Sequence, residues 1–173
     1  MSPNPISLRL FSKTLNAGQI CLSPDYVFVK KNDKNKLISE LQRAYSKFFP
    51  ESNSNNQTSI VNEHHLKRMN AYLMDATKKG ATVKSLGKND DLDRNMISTK
   101  IVTEVNDEMD VMKHEIFGPI LPILTYESIK DAVDYINRKD NPLGLYYFGR
   151  SKSEQNFVIN NTRAGGVTVN DTM

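Results

Sequence analysis

Between Asp33 and Phe49, apolar residues at 37, 41, 44, 45 and 48 recur at intervals of three and four, and Pro50 follows. That spacing lines one face of a helix over 33–49, which the proline stops. A second stripe, Leu66, Met69, Leu73 and Ala76, predicts a helix over 62–79, with Gly80 as its C-terminal cap. Elsewhere the period shortens. Tyr26 to Val29, Thr82 to Leu86 and Ile97 to Val105 read as strands, and "ILPILTY", 120–126, reads as a strand buried on both faces. Ser128 caps a helix from Ile129 to about Arg138. Leu143 to Phe148 is a strand, Glu154 to Thr162 a helix, and Val167 to Asn170 a last strand. Leu8 to Leu15 is a short helical pattern that leads into the segment holding Cys21. Two polar runs, "ESNSNNQT" (51–58) and "GKNDDLDRN" (87–95), read as surface loops.

Strands that alternate with helices of this length predict an α/β fold, a mostly parallel sheet with crossover helices. Sites in such folds gather in the loops at the carboxyl ends of the strands. The 173 residues suit one domain. Hydrophobic residues make up 38% and charged residues 25%, an ordinary globular balance. The net charge is +3 with the basic residues scattered, which gives no footprint for nucleic acid. No apolar run approaches the ~18 residues of a membrane helix. One cysteine makes no internal disulfide, and the N-terminus carries no signal-peptide pattern, so the expected setting is the reducing cytoplasm. His64, His65 and His114 lack the paired short spacings of a zinc site, and no metal is expected.

Cys21, in "LNAGQICLSPDYVFV", carries two readings. A free cysteine commonly fills a core as a small apolar residue. Here Gly18 precedes it and allows a sharp turn or a close backbone approach. A turn leaves N–H groups aimed at whatever the sulfur holds, the geometry that an oxyanion needs. Glu115, in "HEIFGPILPI", stands before the buried strand with Phe117 and a Gly-Pro pair beside it. It is either a surface carboxylate or an acceptor for sugar hydroxyls, with Phe117 packing on a ring. "NPLGLYYFG" and "AGGVTVND" are strands with turn residues at their ends. No G-x-G-x-x-G opens a helix anywhere in the chain, so it carries no dinucleotide fingerprint.

These four segments, in this order, resemble the catalytic domain of the aldehyde dehydrogenase superfamily. The wording "GQICLSPDYV" and "EIFGPILPI" is most similar to the class 3 and coniferyl aldehyde dehydrogenase branch. The likeness runs from about Leu8 to the end, and "IVNEHHLKRM" (60–69) is similar to the segment that follows the first motif. By position the resemblance implies that Cys21 is the catalytic nucleophile. It implies that Glu115 holds the nicotinamide ribose and that Phe117 packs against that part of the cofactor. Asn16, Gly18 and Gln19 match the loop that presents the cysteine, and Asn170 an asparagine placed close to that loop. The implied reaction is oxidation of a small-molecule aldehyde by NAD or NADP through a cysteine thiohemiacetal and thioester.

The same resemblance sets expectations for what the 173 residues lack. The family's cofactor-binding domain, its general-base glutamate and its oxyanion-hole asparagine all precede the cysteine, and the dimer-forming tail follows the last strand. The expectation is a partial catalytic domain over 1–173, truncated at both ends and inactive alone. It would need its N-terminal half, in a family that forms homodimers or tetramers. The rival readings are a partner-binding remnant and a cofactor-independent thiol esterase. Smaller departures from the family are His114 where an acidic residue is common, Ser98 for proline, and Gly144 for alanine.

Overall fold

A computed structural model describes residues 5–50, 57–88 and 90–173. Five helices are α1 (Pro5–Thr14), α2 (Lys34–Phe48), α3 (Glu63–Lys78), α4 (Ile129–Asn137) and α5 (Lys152–Asn161). Six strands are β1 (Val27–Lys30), β2 (Thr82–Ser85), β3 (Lys100–Thr103), β4 (Ile120–Tyr126), β5 (Gly144–Tyr147) and β6 (Gly166–Val169).

Four strands form one sheet in the order β1-β4-β3-β2, with β4 parallel to β1 and β3, and β2 antiparallel at the edge. The apolar β4 is central, and its two halves serve different neighbours. Ile120 to Pro122 pair with Lys100 to Val102, and Ile123 to Tyr126 pair with Val27 to Lys30. Pro122 lacks an N–H and would break a central strand. It stands at the changeover between the two partners, where the loss interrupts least.

Side chains alternate across this sheet, as the pleat requires. Ile101, Leu121 and Ile123 face α1 and α2 and close on Leu10, Leu37, Leu41 and Tyr45. Val102 and Ile120 face the other way, against Leu66, Met69, Tyr72 and Ala76 of α3. Each fully buried aliphatic chain contributes about 1.5–3 kcal/mol. The result is helix, sheet, helix, the layering that the sequence predicts.

β5 and β6 pair in parallel as a separate two-stranded sheet, where the sequence suggests one continuous sheet. They pack with α4 and α5 through Val133, Leu145, Tyr147 and Val158. The helix caps follow the sequence. Ser128 forms a capping box with Asp131, and Asn62 caps α3 by accepting from the His65 N–H. Gly80 ends α3 at φ +97°. The strand expected over 97–105 is cut to Lys100–Thr103. Ahead of it, the Ser98 N–H donates to Asp90 Oδ1 at 2.7 Å, and behind it Glu104 turns to φ +57°. A proline at position 98 would have no such N–H to donate. Of the two expected loops, 51–56 and Asn89 lie outside the described residues.

Candidate functional site

α1 ends at Thr14, and the chain enters a left-handed turn at Asn16 (φ +50°), Ala17 (φ +54°) and Gly18 (φ +72°). Three successive residues in this region are unusual, and Ala17 has no side-chain hydrogen bond to ease its strain. Gly18 is required twice over. Its φ favours glycine, and a Cβ there would stand 2.5 Å from the Gly118 carbonyl oxygen. The Cys21 segment therefore lies directly on the backbone of the "IFGP" segment.

The turn is tied down on both sides. Asn16 Nδ2 donates to the Gln19 carbonyl at 3.2 Å, and Gln19 Nε2 donates back to the Asn16 carbonyl at 3.0 Å. Gln19 also bridges outward. Its Nε2 donates to the Ser59 carbonyl, and its Oε1 accepts from the Val61 N–H at 2.9 Å. The Ser23 N–H then closes a second turn on the Ile20 carbonyl at 2.9 Å, with Cys21 at its corner. Cys21 is exposed, which removes the reading of a core-filling thiol.

The Glu115 segment is held by α3. Arg68 donates to the Glu115 carbonyl at 3.2 Å and to the Ile116 carbonyl at 2.8 Å, while its guanidinium lies over the Tyr72 ring. The Ile116 N–H donates to Asp25 Oδ1 at 3.0 Å, which brings the loop after Cys21 onto the same segment. Burial raises the Asp25 carboxyl, and the Lys13 charge pulls it back. The Glu115 side chain is exposed, and among the described residues nothing engages its carboxylate.

Cys21 and Glu115 line one cavity of about 620 Å³, between the four-stranded sheet and the α4–β5 lobe. Phe117 does not line it. It is 39% exposed at φ +47°. Asn170 bonds Gly149 through its side-chain amide. Its Oδ1 accepts from the Gly149 N–H at 3.0 Å, and its Nδ2 donates to the Gly149 carbonyl at 3.1 Å. Tyr146 is the neighbour that the sequence reading missed. Its hydroxyl donates to the Leu22 carbonyl at 2.8 Å across 124 positions of sequence. Burial raises the Tyr146 hydroxyl, a hydrogen bond from the Met173 backbone lowers it, and the charge of Cys21 raises it further. Gly144 lies opposite Leu22, and a Cβ there would stand 3.3 Å from Leu22 Cδ2. The alanine usual at this position would crowd that Leu22 methyl. Among the described residues no three His, Cys, Asp or Glu side chains gather as a metal site, and no helix is long and apolar enough to cross a membrane.

The profile of the aldehyde dehydrogenase family matches residues 5–173. The chain belongs to the aldehyde dehydrogenase family. It is 40% identical over 169 residues to the coniferyl aldehyde dehydrogenase of a Pseudomonas species, covering 93% of this chain and 34% of that protein. It is 34% identical over 165 residues to aldehyde dehydrogenase family 3 member A2 of Mus musculus, covering 94% of this chain and 33% of that one. The substrate-bound structure of Staphylococcus aureus AldH superposes with a TM-score of 0.90 at 33% identity, over 98% of this chain and 36% of the other. The chain thus spans about a third of the length of the curated relatives it matches. Both the family and its coniferyl and class 3 branch agree with the sequence motifs.

Proposed function

We propose that these residues form the nucleophile-bearing part of an aldehyde dehydrogenase catalytic domain. The whole protein would oxidise a small-molecule aldehyde to a carboxylic acid with NAD or NADP. One observation carries the reading: exposed Cys21, at the corner of the turn that follows the left-handed Asn16–Gly18 segment, shares a cavity with the unengaged Glu115 carboxylate.

The Cys21 thiolate adds to the aldehyde carbon, forming the C–S bond as the carbonyl π electrons move to oxygen. The Cys21 backbone N–H would stabilise that oxyanion. Collapse reforms the carbonyl and releases hydride, leaving a Cys21 thioester. Attack by water then cleaves the C–S bond, giving the acid and freeing the thiolate. The nicotinamide of NAD or NADP, when bound, supplies the hydride acceptor. Glu115 fits the ribose because its carboxylate is exposed on the cavity wall without a competing cation, able to accept two hydroxyl bonds. Phe117, outside the cavity, would pack on the outer edge of that group.

The test separates a directed nucleophile from general reactivity. The chain is treated with p-nitrophenyl acetate and the acetylated peptides are mapped. A single acetyl on Cys21, absent from Cys21→Ala, is the expected outcome. Acetylation spread over surface lysines, with Cys21 unmodified, would overturn the reading.

A further inference from the structure

Lys13 is the one fully buried ionisable side chain among the described residues, with none of its surface exposed. It belongs to α1, eight positions before Cys21. Its ammonium reaches past the turn and donates to the Pro24 carbonyl at 2.9 Å. The next residue, Asp25, faces Lys13 and accepts from the Ile116 N–H. The charges of two cations from different elements, Lys13 on α1 and Arg68 on α3, both favour the ionised Asp25 carboxylate. Tyr26 also faces Asp25, and α2 meets α1 through Leu37 and Leu41. A buried ammonium costs desolvation that its partners repay only in good geometry, so its presence asks for a use.

Building on the nucleophile reading of Cys21, we propose that Lys13 is a positioning residue. Its ammonium holds Pro24 and Asp25 so that the Cys21 turn seats on the Ile116–Gly118 backbone. Two ties would then set the spacing between Cys21 and Glu115. One is the contact between Gly18 and Gly118 upstream of the cysteine. The other lies downstream of it, where Lys13 holds the Pro24 carbonyl and the next residue, Asp25, accepts from the Ile116 N–H.

The tie is sensitive to proton loss. Burial pushes the Lys13 ammonium down from 10.5 to about 8, with Asp25 pulling it back up in part. The folded chain therefore sheds this proton before the unfolded chain does. The charge-held tie is present below about pH 8 and lost as pH rises through it. Stability moves the opposite way, because between the two values the unfolded state binds more protons.

The experiment compares alkylation of Cys21 by iodoacetamide in the wild-type chain, Lys13→Met and Lys13→Arg, from about pH 6.5 to 9.5. Taking ratios at each pH cancels the titration of Cys21 itself. At pH 7 Lys13→Met should react about threefold or more slower than wild type, and the gap should close above the Lys13 transition. Lys13→Arg, cationic throughout, should track wild type at pH 7 and outrun it above that transition. Ratios that stay flat across the range would overturn the proposal, because a role in packing alone does not titrate. If Lys13→Met fails to fold, the arginine comparison decides. If neither variant folds, hydrogen exchange of the wild-type Ile116 amide relative to Ile101 decides. Loss of relative protection above the transition supports the tie, and a constant ratio overturns it. A wild-type Cys21 slower than in the unfolded chain at every pH would instead defeat the nucleophile reading.

Discussion

Gly18 and Ala17 show how much of the site is set by single backbone positions. Both have left-handed φ, but only glycine adopts it without strain. Gly18→Ala adds that strain and drives a methyl to 2.5 Å from the Gly118 oxygen, a backbone atom that a rotamer change does not move. The expected loss is about 2–4 kcal/mol by urea unfolding, with slower alkylation of Cys21 in the folded fraction. A change below about 0.5 kcal/mol would show that the contact with Gly118 relaxes freely. Lys13 belongs to the same scale. In "LRLFSKT" a lysine near a helix end reads as a solvated charge, and nothing local announces that it is buried. Its burial follows from the chain folding back so that Pro24 and Asp25 lie over it.

At the scale of elements, the local signals are reliable where an element depends on its own residues. Ser128 is followed by Asp131 at the capping-box spacing, and α4 begins there. Ser128→Ala should cost about 1 kcal/mol in thermal or urea unfolding, and no measurable loss would mean that packing by Val133 alone fixes the helix start. The buried β4, the stripes of α2 and α3 and the turn at Gly80 were legible for the same reason. What was not legible depends on remote partners. β3 is shortened by Asp90 capturing Ser98, and β5 and β6 pair apart from the main sheet. Of the residues proposed for the site, Cys21, Gly18, Gln19 and Glu115 were singled out through their motifs. Tyr146 was not, because its bond to the Leu22 carbonyl crosses 124 positions. The bonds of the Asn170 amide to both backbone groups of Gly149 were equally out of reach, because they cross 21 positions.

At the scale of the whole molecule, the proposed function requires that folding make Cys21 an accessible nucleophile. No local stretch does this alone. The turn needs Gly118 beneath it, Gln19 bonded to Ser59 and Val61, and Tyr146 holding Leu22. The unfolded chain keeps the same thiol but has none of these supports. The direct measurement is the second-order rate of iodoacetamide alkylation of Cys21 in the folded chain and in denaturant, from about pH 6 to 9. Folded Cys21 should react as fast as unfolded Cys21, or faster, near pH 7. A folded rate well below the unfolded rate at every pH would contradict the account.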